Sequence, residues 1–566
     1  MLWLYLKLID ISICSDNIVN DTQWYVGYIQ LLENFRHSKV LNIKSWTDEA
    51  VIIPAGVRQI QPSPLFGVKH VNFKSEVVKA SVLSKTWFKA WHTYPVLEFE
   101  AKTIKQDWYY HGRKEKIFKF LDNTLRNREK HTDKYIHKFA IKLISLSCDR
   151  EFTSLIDRWV FHAVSSNVKE LKIAFALCGR HYSLPQMIFS AKSVHVLELS
   201  GCILKYLPRN NRVELCSLKK LCLDKINIDD EFMVNLIAGC PMIEDLSVYK
   251  CRKITSIELF GLDKLKEIKV KNNFELQRVE IGAANVQSVL ISSLYTLRQI
   301  DIASCKNLKS LILDTIITDE WLSNQISELN QLEYLSLNKS EKLENIRISS
   351  LSLKTLIIHG SFGLNLIKIE TPKLSEFTYH GKIVEFSSNA LSLSEANLCI
   401  STNQFYSRND EYIQFLGNFC HSKVVSIESS KDVIIPVASR EIRNSPLFGV
   451  KHLNLNLQDF LPYEICTPIA KILDGLLWIA PHQDSISIEC GGNKSSFTFS
   501  YKKHLTADCC KSLPVACWRH CIKEVEIVNA RTLKEGEIVK RYLLQEGDIY
   551  EKIVALKDLG DFIGDL

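Results

Sequence analysis

A single apolar pattern, returning at nearly constant spacing, limits what this chain can fold into. Residues 218–223 read L-K-K-L-C-L. The same form, with Ile or Val exchanged for Leu, returns at 243–248 (I-E-D-L-S-V), 265–270 (L-K-E-I-K-V) and 286–291 (V-Q-S-V-L-I). It continues at 308–313 (L-K-S-L-I-L), 332–337 (L-E-Y-L-S-L) and 353–358 (L-K-T-L-I-I). Steps between successive first residues are 25, 22, 21, 22, 24 and 21. Alternate side chains of a strand share a face, so the last two apolar residues of each copy point the same way. One such strand cannot bury that face alone, whereas a stack of them makes a continuous core.

Period and form together place these copies among leucine-rich repeats. The expected fold is an α/β solenoid of leucine-rich repeats: short parallel strands, partly β on the convex side, with a small helical segment before the repeats. Second apolar alternations at 297–302, 343–348 and 364–369, rich in isoleucine, predict strands on the convex side. The longer steps at 229–238 and 318–329 leave room for helices there. Residues between the buried ones face outward onto the concave side. The expected substrate-binding set is Lys220, Asp224, Asp245, Tyr249, Glu267, Lys269, Lys271, Tyr334, Asn338 and His359, with Asp314 beside them. Gln299 and Asp301 belong either there or to the opposite ladder. Mixed charge with two tyrosines suits a protein-binding surface.

Composition adds mainly exclusions. The net charge of +7 is small for 566 residues. Much of the excess gathers between Lys102 and Lys142, where Glu115, Asp122, Glu129 and Asp133 interrupt the basic run at helical pairing distances. That pattern reads as a solvated helix face rather than a nucleic-acid surface. The 17 cysteines are scattered, and several, such as Cys222 and Cys305, fall inside repeat positions, as suits small buried thiols in a reducing compartment. The tightest group, Cys509, Cys510, Cys517, His520 and Cys521, lacks two well-spaced ligand pairs, so no metal is expected. Residues 491–496 (G-G-N-K-S-S) do not meet the phosphate-loop pattern, and no G-x-S-x-G or H-E-x-x-H occurs. The chain is read as no enzyme, with no cofactor. No run of 18 apolar residues predicts a membrane span, and the location expected is cytoplasmic or nuclear.

The chain also repeats itself at long range. Residues 63–70 (S-P-L-F-G-V-K-H) recur letter for letter at 445–452, an offset of 382. Residues 51–54 (V-I-I-P) recur at 433–436 with that offset, while 37–40 (H-S-K-V) recur at 421–424 with an offset of 384. Residues 1–72 therefore read as a repeat remnant duplicated from the 390–455 type of region. Its apolar start reads as a solenoid strand rather than a targeting signal.

Residues 77–99, VVKASVLSKTWFKAWHTYPVLEF, resemble the second half of an F-box. I-D-R-W at 156–159, V-K-E-L at 168–171, Y-S-L-P at 182–185, LIAGCPMIEDL at 236–246 and CCKSLPVACWRHCIKEVEI at 509–527 agree. Together they are similar to the plant F-box/LRR-repeat family with an FBD-like C-terminal region. The resemblance implies a partial F-box at 73–100, a helical and strand linker at 101–160, leucine-rich repeats at 161–460 and an FBD-like region at 461–566. It implies a substrate-recognition subunit of an SCF-type ubiquitin ligase. Val78, Val82, Leu83, Trp87 and Trp91 would meet a Skp-type adaptor and its cullin scaffold, and the repeats an unknown protein substrate; nucleic acid and membrane are not among its partners. One departure stands out. A complete F-box opens with L-P-x-x-x-L-x-x-I-L-S-x-L, but residues 63–76 belong to the duplicated segment. The alternative is an adaptor-independent LRR binding protein, or a fused gene product that has lost the ligase link.

Overall fold

The computed structural model describes residues 8–13, 40–45, 70–73, 96–102, 122, 125–126, 136–144, 150–176, 182–204, 212–295, 297–338, 341–360, 363–400, 409–429, 445–457, 469–490, 493–501, 522–528, 541 and 553–557. The chain divides into two units, 1–280 and 281–566.

In the first unit, β1 (Leu8–Ile13), β2 (Val40–Ser45) and β3 (His70–Phe73) form a three-stranded parallel sheet. The main sheet starts with β4 (Val96–Lys102), β5 (Lys138–Ile144) and β6 (Glu170–Ala176). After the short β7 (Tyr182–Ser183) it takes in β8 (Val196–Ser200) and, past β9 (Cys202–Ile203), β10 (Lys220–Asp224) and β11 (Asp245–Tyr249). β12 (Ser256–Phe260) lies on the convex side, β13 (Glu267–Lys271) closes the run, and β14 (Arg278–Gly282) follows. Strands β4, β5, β6, β8, β10, β11 and β13 pair successively and in parallel. The register aligns Leu221 with Leu246 and Ile268, and Leu223 with Val248 and Val270. All six are buried, so the apolar pair of each repeat sits directly on the next.

Four successive strands of the first unit hand the chain on through a left-handed residue. Gly201, Lys225, Lys250 and Asn272 follow β8, β10, β11 and β13 with φ of 67°, 54°, 50° and 52°. The first three donate their N–H groups to the carbonyls of Asp224, Tyr249 and Lys271, the last residues of the following strands. At Gly201 a side chain has no room, since a Cβ would stand 1.9 Å from the Phe175 carbonyl oxygen. Buried Asn273 completes the β13 turn: it accepts the Cys251 N–H at 2.8 Å and donates to the Val248 carbonyl at 3.1 Å.

The small helical segment expected before the repeats, which carries Val78 to Trp91, lies outside the described residues; between β5 and β6 stands α1 (Arg150–Ser165). It buries Ile156, Trp159, Val160 and Ala163. Two of the sequence signatures meet here, because the Tyr182 hydroxyl donates to Asp157. Asp122 is not on a solvated face: it is buried, pairs with Arg126 and Arg158, and accepts the Trp159 indole N–H at 3.3 Å. The carboxylate sits under two cations and an indole, which is how a buried charge is tolerated.

The second unit continues with β15 (Ser288–Ser292), β16 (Gln299–Asp301), β17 (Ser310–Asp314), β18 (Tyr334–Asn338), β19 (Asn345–Ser349) and β20 (Thr355–His359). Then come β21 (Leu366–Glu370), β22 (Glu376–Gly381), β23 (Glu385–Ser388), β24 (Glu395–Ile400), β25 (Val424–Ser429), β26 (His452–Leu457) and β27 (Ser485–Cys490). β28 (Asn493–Tyr501), β29 (Ile522–Val528) and β30 (Ile553–Lys557) follow. The parallel run is β15, β17, β18, β20, β22, β24, β25, β26, β27. The pattern changes at β28, which is antiparallel to both β27 and β29. The expected convex strands at 343–348 and 364–369 are β19 and β21, paired with each other and with β23. Under β22, Phe377, Phe386 and Phe419 cluster with centroids 5.0–5.8 Å apart, joined by Phe415 at the end of α4 (Asn409–Gly417). α5 (Ile469–Ile479) buries Leu473, Leu476 and Leu477.

The two longer steps carry helices, as expected: α2 (Asp230–Ala238) and α3 (Asp319–Glu328). Both open alike. The N-cap side chains of Asp229 and Thr318 accept from Phe232 N and Trp321 N. The next carboxylate then reaches the following convex strand: Asp230 accepts Thr255 N and Ser256 N, and Asp319 accepts Glu344 N and Asn345 N. Each helix start is thereby tied to the next repeat, at the end where the dipole favours an anion. No described helix is long and apolar enough to cross a membrane.

Two substitutions test this scheme. Gly201→Ala should cost more than about 2 kcal/mol in urea unfolding, because it adds backbone strain to a direct overlap. Asn273→Leu, which strands the Cys251 N–H and the Val248 carbonyl, should cost about 1–3 kcal/mol in the same assay.

Candidate functional site

The concave face of each parallel sheet is where short, uncovered side chains repeat. On the first unit the register brings the expected residues into two transverse rows. Lys220, Asp245 and Glu267 form one row, and Asp224, Tyr249 and Lys271 the other. Lys220 pairs with Asp245 at 3.5 Å, Lys269 with Glu267 at 2.6 Å, and the Lys271 ammonium lies 6.0 Å from the Tyr249 ring centroid. Asp224 accepts from the Ser200 hydroxyl at 2.7 Å. These half-buried charges largely neutralise one another. The Lys269 ammonium is raised above its ordinary value chiefly by the hydrogen bond to Glu267.

The concave position that sequence reasoning passed over lies between the two buried residues of each strand. In the first unit it holds Cys222, Ser247 and Lys269, of which only Lys269 was expected. Burial and the neighbouring Glu198 push the Cys222 thiol up to about 11, so it stays protonated. Cys240, Cys251 and Cys305 are buried thiols pushed up to about 12, chiefly by burial. The Cys509–Cys521 group lies outside the described residues. Among the described residues no three His, Cys, Asp or Glu side chains are grouped to hold a metal ion.

On the second unit the middle row changes character. It is aliphatic at Leu290, Ile312 and Ile357, with buried Ser336 between the last two. It becomes polar at Thr378, Asn397, Ser426, Asn454 and Ser487. The expected Tyr334 and Asn338 sit at the two ends of β18, and Asp314 is in register with Asn338. Gln299 and Asp301 belong to β16, outside the concave run. The signal for the missed positions was present in the sequence: the x of each terminal L-x-L.

His359 is in register with His380, and their rings stack with centroids 4.3 Å apart. Burial lowers both imidazoles below their ordinary value, and each disfavours charge on the other only while charged itself; for His359 the neighbouring His380 is the second cause. The folded state thus binds fewer protons than the unfolded one as pH falls below about 6.5, and stability drops through that window. NMR titration should give both midpoints below 6.5, and His380→Gln should flatten the loss of stability between pH 6.5 and 5.

The expected adaptor-binding residues Val78, Val82, Leu83, Trp87 and Trp91 lie outside the described residues. Comparison with known proteins bears on them only through family. A family model described as At1g61320/AtMIF1, LRR domain, matches twice, over residues 128–298 and 294–470. The F-box/LRR-repeat protein At3g03360 of Arabidopsis thaliana is 24% identical over 253 residues, 43% of this chain and 52% of that protein. The putative F-box protein At1g49610 of the same plant is 26% identical over 54% of this chain and 78% of its own length. F-box/FBD/LRR-repeat protein At3g52680, also from that plant, is 28% identical over 33% and 40%. The chain thus spans about half the length of the first of these relatives. A solved TLR13–ssRNA13 complex aligns over 77% of this chain and 60% of that one, at 14% identity and a TM-score of 0.35, too distant to carry an argument. With the repeat register in place and the family model covering more than half its length, the chain belongs to the plant F-box/LRR/FBD-repeat family, in its At1g61320/AtMIF1-type leucine-rich-repeat domain.

Proposed function

We propose that the chain is a protein-recognition subunit whose concave strands hold a protein substrate, resembling the receptor of an SCF-type ubiquitin ligase. The carrying observation is the concave row itself. Successive parallel strands bury their apolar pairs and turn the residues between them, most of them half-buried, to one face, which serves binding and brings no nucleophile–base pair with it. In this reading residues 73–100 dock a Skp-type adaptor through Val78, Val82, Leu83, Trp87 and Trp91. The substrate meets Lys220, Asp224, Asp245, Tyr249, Glu267, Lys269 and Lys271 on one unit, and Tyr334, Asn338 and His359 on the other. Ubiquitin transfer is left to the partners, as fits a typically non-catalytic family. The setting is cytoplasm or nucleus.

A second reading has its own support. Residues 63–76 do not carry the opening pattern of an F-box. An LRR binder without a ligase link would look the same over 128–470. Co-purification of the full chain with a plant Skp-type adaptor and cullin separates the two. The receptor reading expects a stable complex, lost in Trp87→Ala/Trp91→Ala. Binding only after a complete first F-box helix is supplied ahead of Val77 would leave the adaptor-independent reading standing.

A further inference from the structure

We propose that the polar half of the second unit's concave face takes a lysine or arginine side chain of an extended peptide. The aliphatic strip beside it reads an apolar residue of the same peptide. The proposal deepens the partner-binding reading above and rests on it.

A cavity of about 450 Å³ opens over β22 to β28, and its polar lining includes two carboxylates. Two carboxylates, Glu428 and Glu489, flank Asn456 in one transverse row. Neither forms an ion pair among the described residues, and a carboxylate can only accept. The two amides of the middle row are neutral in this balance. Asn397 gives one N–H to Glu395 at 3.1 Å, and Asn454 gives one to the Ser426 hydroxyl at 3.2 Å. Each amide keeps a second N–H and its carbonyl oxygen, so the carboxylates set the preference. The cavity therefore calls for a group with several N–H donors and positive charge, as a guanidinium or ammonium has. A phosphate would meet two like charges. Lys494, across the hairpin register from Glu489, is the single cation lining the cavity, and the neighbouring His380 stays neutral at ordinary pH.

The aliphatic strip argues for a peptide rather than a free cation. Ile357 is in register with Thr378, Asn397 and Ser426, three strand steps from β20 to β25. At the usual spacing of neighbouring strands that is about 14 Å, or about four residues of extended chain. Beyond buried Ser336, Ile312 and Leu290 resume the aliphatic row away from the cavity. A ligand bridging strip and cavity carries an aliphatic or aromatic residue and, about four positions away, a basic one.

The test pans a random dodecapeptide phage library on the purified full chain, then measures selected synthetic peptides by fluorescence anisotropy. Selected peptides should share one Lys or Arg with an apolar residue about four positions away. Glu428→Gln/Glu489→Gln should weaken them at least about tenfold, and Lys494→Glu should tighten them about threefold. Opposite signs from the two sets of substitutions are not a folding effect. Selected peptides with no shared basic residue, or basic peptides indifferent to Glu428→Gln/Glu489→Gln, would overturn the cationic site while leaving a peptide-binding face. If no peptide is enriched at all, the cationic site and the partner-binding reading of this face both fall.

Discussion

Everything in this chain depends on neighbouring strands pairing in parallel with no slip. When Leu221 lies on Leu246 and Ile268, the buried pair of every repeat is covered from both sides. A slip of one residue would turn both leucines outward and the polar row inward. The left-handed exits at Gly201, Lys225, Lys250 and Asn272 hold that register, because each sets where its strand stops. The carboxylates of Asp230 and Asp319 hold it on the convex side. Register, rather than any single contact, decides which residues reach a ligand.

Much of this was legible because it is periodic. The L-x-x-L-x-L form locates the concave strands, isoleucine-rich alternation locates β19 and β21, and the long steps locate α2 and α3. What escaped was local chemistry at non-periodic positions. Asp122 reads as one more charge in a basic helix, and only the fold brings Arg158 and Trp159 over it. Sequence spacing places Lys220 and Asp224 at the two ends of a strand, but it does not reveal that Asp245 takes up the lysine. The middle row was passed over because Cys222, Ser247 and Ile312 do not look like binding residues. The face they point to follows from strand geometry, not from residue type.

The concave face is therefore not uniform in either unit. The first carries charges already paired among themselves. The second runs from aliphatic to amide and carboxylate within a few strands, over a base of clustered aromatic rings at Phe377, Phe386 and Phe419. A rigid base keeps such a surface in one shape before a partner arrives, which lowers the ordering cost of binding.

The duplicated segment has a consequence for how the chain reaches this state. β2 and β3 pair Val40 with His70, just as β25 and β26 pair Val424 with His452. Two stretches of one polypeptide thus compete for the edge of β25 while the chain is still open. The copies differ in distance: β26 begins 23 residues after β25 ends, whereas 351 residues separate the end of β3 from the start of β25. Loop closure over the longer path costs about 2.4 kcal/mol more, roughly a sixtyfold bias toward the nearby copy. Chain entropy therefore favours the nearby copy in addition to any difference between the H-V-N-F of β3 and the H-L-N-L-N-L of β26.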